Sequence, residues 1–463
     1  MSTLNLGILA HVDAGKTSLT ERLLYAAGVI GAVGSVDAGS TQTDSLALER
    51  QRGITIKSAV VSFPVGDVTV NLIDTPGHPD FIAEVERVLS VLDGAVLVIS
   101  AVEGVQAQTR VLLRTLRRLR IPALIFVNKI DRGGARPAGV LADIERKLTP
   151  AIVAMGSVRE PGTREAAFVP CGPAADGHAA RLAEVLAEHD DDLLAAWVAG
   201  EPAISWGRLR AALREQVRRG LVHPVLFGSA VTGAGVAELT ASLRELLPVA
   251  SGDPGGPVAG TVFKVERGPA GEKVAYARIF AGAVRARDRL AFGAGRAGKV
   301  TAVSVFGAPS AQDCAGPGQI ARLWGLHDVR IGDTLGGSAA APAARYFAPP
   351  TLETVVVPGR PAEKGALHAA LAQLAEQDPL INLRRDDADG DDVVSLYGEV
   401  QKEVIQATLA SDFGVEAGFR ETTTICIERV TGTGAAVEHI GVPPNPFLAG
   451  VGRGSTRPRP APA

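Results

Sequence analysis

Eight residues near the N-terminus constrain this chain more than any other feature. Ala10-His11-Val12-Asp13-Ala14-Gly15-Lys16-Thr17 follows an apolar run at residues 4–10 and opens a helical pattern at 16–26. A β-rich run, a loop ending in Gly-Lys-Thr and a helix make a phosphate-binding loop, with Ala10 where the common form has glycine. The chemistry calls for these residue types. Backbone N–H groups and the helix N-terminus cradle phosphate oxygens. Lys16 reaches the β- and γ-phosphates, and Thr17 places its hydroxyl on Mg²⁺. The competing explanation is a strand-to-helix turn that contains Gly-Lys-Thr by chance, so the rest of the chain has to decide.

The other motifs decide for the nucleotide. Asp74-Thr75-Pro76-Gly77-His78 ends an apolar run at 68–73. A carboxylate at a strand end opposite the phosphate loop is placed to hold Mg²⁺. Gly77 lets a backbone N–H approach the γ-phosphate without a Cβ in the way. The imidazole of His78, beside that phosphate, can orient an attacking water. Asn128-Lys129-Ile130-Asp131 follows the apolar run 123–127. An aspartate there accepts both guanine donors, N1–H and the exocyclic amine, which adenine lacks as a pair, so Asp131 specifies GTP over ATP. The stem of Lys129 can lie over the base. Gly228-Ser229-Ala230 follows the run 224–227, where a backbone N–H can bond guanine O6. Thr55, in Arg52-Gly53-Ile54-Thr55-Ile56, can complete the Mg²⁺ shell when the γ-phosphate is present. The segment 31–55 is long and poor in apolar residues, which fits a loop that orders and relaxes with nucleotide state. All these motifs fall at strand C-terminal ends, where open α/β sheets bind ligands.

Composition removes other classes. Charged residues make up 21% and hydrophobic ones 46% of 463 residues, as in globular proteins. Cys171, Cys314 and Cys426 are far apart, so a disulfide framework or zinc knuckle is excluded and a reducing compartment fits. A net charge of -3 excludes nucleic-acid binding through bulk positive charge. Apolar runs are too short to span a membrane, and no signal peptide precedes the first strand. With only nine lysines against 38 arginines, it is notable that Lys16 and Lys129 both fall inside motifs.

The pattern along the chain predicts three folded units. Residues 1–250 alternate strand and helix, which implies a mainly parallel sheet covered on both faces. The runs 57–65 and 68–73, joined by Gly66-Asp67, predict one antiparallel edge hairpin. Residues 143–220 read as mostly helical. After a linker at 248–257, residues 257–337 show short strands and glycine-containing turns, the signature of a small β-barrel. Residues 350–421 read as βαββαβ, a ferredoxin-like α+β unit. A new strand begins near 424 and is read as the stub of a fourth domain over 422–449. Residues 450–463 cannot bury a core and are expected to be disordered.

Taken together, AHVDAGKTS, RGITI, DTPGH, NKID and GSA make this chain similar to the translational GTPases. The domain order resembles elongation factor G. A closer resemblance is to the tetracycline-resistance ribosomal protection proteins, carried by LNLGILAHVDAGKTSLTERLL, SVDAGSTQTDSLALERQRGITI, LYGEVQKEV at 396–404 and VPPNPFLA at 442–449. The resemblance implies a ribosome-stimulated GTPase that dislodges tetracycline, using GTP and Mg²⁺, as a cytoplasmic monomer that binds no membrane. It implies nucleotide contacts from Asp13, Ala14, Gly15, Lys16, Thr17, Ser18, Asp74, Gly77, His78, Asn128, Lys129, Asp131, Gly228, Ser229 and Ala230. Mg²⁺ falls to Thr17, Thr55 and Asp74, and His78 is the catalytic residue, gated by Val12 and Ile54. With no arginine finger evident, catalysis is expected to be slow until the ribosome completes the site.

One departure from the family stands out: its members continue through fourth and fifth domains, whereas this chain ends within the first strands of the fourth. It motivates a second reading, a truncated ribosome-docking fragment that binds GTP without conferring resistance; an elongation factor G-like translocase is the third, against which Leu396–Gln401 and the missing fourth domain argue.

Overall fold

The computed structural model describes residues 2–34, 41, 49, 55–173, 177–198, 204–308, 312–336, 346–386, 390–426, 434–435 and 455–456. The nucleotide-motif region is built on strands β1 (Ser2–Ala10), β2 (Ala59–Val65), β3 (Val68–Asp74), β4 (Gly94–Ser100), β5 (Ala123–Asn128) and β6 (Ile152–Ala154). A separate hairpin of β7 (Gly156–Arg159) and β8 (Ala167–Pro170) follows, and β9 (His223–Phe227) returns to the main sheet. The sheet order is β2-β3-β1-β4-β5-β9-β6, parallel except for the antiparallel β2–β3 edge pair.

The helices are α1 (Lys16–Ala26), α2 (Ile82–Leu89), α3 (Ala107–Arg118), α4 (Pro137–Lys147), α5 (His178–Ala187), α6 (Asp191–Val198), α7 (Trp206–Arg218) and α8 (Val236–Leu246). Strand alternation divides the core. Ile8, Val96 and Val98 point to the layer holding Leu19, Leu23, Leu213, Leu239 and Leu243. Leu9, Leu97 and Ile99 point to the layer holding Val85, Leu112, Leu116 and Ile144. Central strands buried on both faces are apolar at most positions, which is why they read as near-continuous runs.

Residues 143–220 depart from the helical expectation. Besides its helices, this stretch supplies the edge strand β6, which pairs parallel with β9, and the β7–β8 hairpin. These strands are three or four residues long, below the length at which period-2 alternation separates from a helix. A 3₁₀ turn at Pro79–Phe81 leads into α2.

The second unit is an antiparallel sheet whose long central strands are Ala259–Arg267 and Lys273–Ala281, around Val262, Ala277, Ile279, Phe292 and Leu323. It packs directly on the first. Arg278 pairs with Asp93 and donates to Val91 O at 2.7 Å, and Phe263 and Tyr276 extend the α2–α3 core layer.

The third unit has strands Leu352–Pro358, Arg384–Arg385, Asp392–Leu396 and Ala417–Phe419, with helices α9 (Lys364–Gln377) and α10 (Glu399–Phe413). Its strand order is 2-3-1-4, the split βαβ arrangement. The second strand is only Arg384–Arg385, because a 3₁₀ turn, Pro379–Ile381, and Asn382 at φ 44° precede it. Thr423–Thr424 adds to the edge of this sheet against Leu352 and Glu353. The expected fourth-domain stub and disordered tail lie outside the described residues, except for the start of the stub through Cys426 and the pairing of Gly434–Ala435 with Ser455–Thr456. No helix among the described residues is long and apolar enough to cross a membrane.

Candidate nucleotide site

The parallel register brings the motifs to one end of the sheet. Asp74 aligns with Ile8, two residues before β1 ends, and Asn128 aligns with Ser100 at the end of β4. The loop after β1 therefore emerges between neighbours that lead the chain in opposite directions, a topological switch point. A cavity of about 500 Å³ opens there. Its walls include Asp13, Gly15, Lys16, Thr17, Ser18, Thr55, Gly77, His78 and Lys129 from the sequence-predicted set.

Gly15 caps α1 at φ 86°, a left-handed conformation. A Cβ there would also run into the side-chain amide of Asn128, so two separate constraints demand glycine. Asp13 and Lys129 take φ 63° and 66° without being glycine. Such backbone costs about 1–3 kcal/mol and clusters at ligand sites.

A buried polar cluster forms the floor. Lys16 pairs with Asp74, and its Nζ donates to Thr55 Oγ1 at 3.1 Å. Thr17 Oγ1 lies 3.2 Å from Thr55 Oγ1. Lys16 is 6% exposed and Asp74 0%, so this ion pair lies in low dielectric, where charge counts most. Two adjacent hydroxyls beside a carboxylate are oxygen donors of the kind a hard divalent cation takes.

Asn128 is a strut. Its Nδ2 donates to Ala14 O at 2.9 Å and its Oδ1 accepts from Ala230 N–H at 2.9 Å. It thereby ties the phosphate loop to the Gly228-Ser229-Ala230 turn. Ser229 Oγ accepts from Val231 and Thr232 N–H at 3.2 and 3.1 Å, so this turn is organised internally. Gly228 O accepts from Ile130 N–H at 3.2 Å, joining the turn to the segment before Asp131. Asp74, Asn128 and the turn lie beneath or beside the cavity, and the half-exposed Asp131 stands beyond its lining.

His78 reaches the same cavity, and its Nδ1 accepts from Asp80 N–H at 3.2 Å. The lone pair on Nδ1 is thus engaged, which leaves Nε2 as the ring nitrogen that faces other partners. A Cβ on Gly77 would sit 3.5 Å from Ala10 O, an ordinary contact, so the protein's own packing does not require glycine there. Val12 lines the cavity, and Ile54 lies outside the described residues.

Sequence reasoning missed several lining residues. Glu103 accepts from Lys129 Nζ at 3.4 Å, and Arg132 stands nearby. His11 is buried against Thr109 Oγ1 at 3.2 Å. Burial holds its imidazole below the ordinary value, with Lys129 adding to that and Glu103 and Asp13 opposing it. The signal for His11 was present inside the loop motif, whereas Glu103 and Arg132 belong to no motif and are brought in by the fold.

A parallel sheet with this loop and the Gly228-Ser229-Ala230 turn tied to it, followed by a β unit and a split βαβ unit, defines a GTPase of the translation-factor class. Family profiles agree: "Elongation factor Tu GTP binding domain" matches residues 1–249, "Elongation factor G domain 2" 257–338, and "Elongation Factor G, domain III" 347–421. The chain is 54% identical to the oxytetracycline resistance protein of Streptomyces rimosus, over 100% of this chain and 72% of that one. It is 50% identical to the tetracycline resistance protein TetM of Streptomyces lividans, over 95% and 69%. A crystal structure of a protein from Thermus thermophilus superposes with a TM-score of 0.78 at 25% identity, covering 98% of this chain and 72% of that one. The chain belongs to the tetracycline-resistance ribosomal protection proteins, translational GTPases of the elongation factor G type.

Proposed function

We propose that this GTPase binds the ribosome and releases tetracycline from it, with hydrolysis stimulated by the ribosome. The observation that carries the reading is the joining of Lys16, Thr17, Thr55 and Asp74 at the floor of the cavity that His78 also lines. Lys16 and the loop amides bind the phosphates of GTP, and Thr17, Thr55 and Asp74 hold Mg²⁺. The metal ion supplies neutralisation of the phosphate oxygens. His78, whose Nδ1 is held by Asp80 N–H, orients the attacking water through Nε2. Asn128 serves GTP indirectly, by holding the two nucleotide loops together. The test is displacement of labelled tetracycline from purified ribosomes by this chain with GTP. Hydrolysis that ribosomes do not accelerate, or drug that stays bound, would overturn the reading.

Base selection falls to Asp131. Losing two charge-assisted bonds to guanine costs about 3–6 kcal/mol. Asp131→Ala is therefore expected to lower GTP-over-ATP preference by about 100-fold or more, measured by competition binding.

Ribosome docking has a candidate surface at the opposite pole of the sheet. Leu112, Leu113 and Leu116 face the core on α3, which leaves Arg110, Arg114, Arg117 and Arg118 on the exposed side. With Arg120 and Arg219 they line a groove of about 690 Å³ beside the N-terminal ends of β5, β6 and β9. The balanced net charge conceals this concentration of positive charge. A groove walled by six arginines and Lys147, against the single carboxylate of Glu188, suits an RNA phosphate backbone. Replacing Arg114 and Arg117 together by alanine is expected to raise the KM for ribosomes and to flatten its log–log salt dependence by roughly two units. The kcat at saturating ribosomes should hold. An unchanged salt slope would remove the groove from the docking surface.

A further inference from the structure

The loop that carries His78 is held from the third unit. Helix α10 begins after Gly398, which has no side chain to cap it. Its first amides are met instead from the GTPase domain. Asp80 Oδ2 accepts from Val400 N–H at 3.0 Å and from Gln401 N–H at 3.3 Å. A carboxylate at these positions satisfies orphan donors and the positive end of the helix dipole. Gly398 is extended at φ -178°, so its backbone does not demand glycine, but a Cβ would strike both carboxylate oxygens of Asp80. Around this cap, Phe81 packs with Ile56 and Val404, and Arg87 pairs with Asp378.

The same residue reaches the histidine. Asp80 N–H donates to His78 Nδ1, and Asp80 Oδ1 lies 3.5 Å from that nitrogen. We propose that Asp80 is a positioning residue: by capping α10 it converts the seating of the third domain into the orientation of the His78 ring. The proposal rests on reading His78 as catalytic. The segment at its far side, Leu396–Gln401, is also one that sets this chain's sequence beside the ribosomal protection proteins.

The test uses the full chain, with ribosome-stimulated turnover and GTP affinity measured separately. Asp80→Ala is expected to lower kcat by about 10- to 100-fold, the scale of a misplaced catalytic group, with GTP affinity unchanged. Asp80→Asn, whose amide oxygen accepts from the same N–H groups, should restore most of the loss. Gly398→Ala, which disturbs the contact from the third domain alone, should also lower kcat. Combined with Asp80→Ala it should do no further harm, as coupled residues behave. In a His78→Ala background, Asp80→Ala should add nothing. If His78→Ala abolishes turnover while Asp80→Ala and Gly398→Ala preserve it, the positioning role is overturned and the catalytic reading stands. If His78→Ala itself preserves turnover, both fall. Losses from Asp80 and Gly398 that multiply would also overturn the proposal.

Discussion

Replacing Lys16 with alanine is expected to weaken GTP binding by at least about 30-fold. The ammonium is almost wholly buried, paired with Asp74 and bonded to Thr55. Removing one partner from a buried, hydrogen-bonded charge pair costs about 2–5 kcal/mol, and each 1.4 kcal/mol is tenfold in affinity. The phosphates would lose the cation that faces them in a site where water screens little. A second cost falls on the fold. Asp74 is fully buried, so losing its cation should destabilise the protein by about 3–5 kcal/mol. Thermal unfolding separates that cost from the binding loss measured by titration with labelled GTP. Binding as tight as the parent's would place the nucleotide elsewhere.

Replacing His78 with alanine is expected to lower ribosome-stimulated kcat by about 100- to 10,000-fold, the range for a positioned proton-bearing group. GTP affinity should stay as it is, because His78 belongs to no part of the Lys16 cluster. The imidazole is 25% exposed at the cavity wall, so its loss leaves no buried void and stability should change little. Single-turnover hydrolysis at saturating ribosomes is the measurement. The Nδ1 contact with Asp80 N–H adds a finer expectation. His78→Gln, which keeps a side-chain donor, should retain more activity than His78→Ala.

The nucleotide motifs were legible because their chemistry is local. A phosphate loop needs one strand end, a few backbone amides and a helix start, all within Ala10–Thr17, and helix Lys16–Ala26 forms where the pattern places it. The same holds for Asp74 at the end of β3 and Asn128 at the end of β5. The strand β6 was not legible, because three residues carry too little alternation. The role of Asn128 was only half legible. Its motif marks it as a nucleotide residue, but its partners Ala14 and Ala230 lie 114 and 102 positions away.

By itself the sequence determined the class of protein, a translational GTPase with its motif residues, and the order of the three folded units. Those properties reside in residue types at short spacing and in hydrophobic periodicity. Only the tertiary structure decided what joins them. It set Lys16 against Thr55 and Asp74, gathered the α3 arginines into one groove despite a net charge of -3, and laid Asp80 against a helix 320 positions away in the chain. The reason is physical. Hydrogen bonds and charge pairs act over a few ångströms of space whatever the chain separation, and packing alone chooses which distant residues come that close.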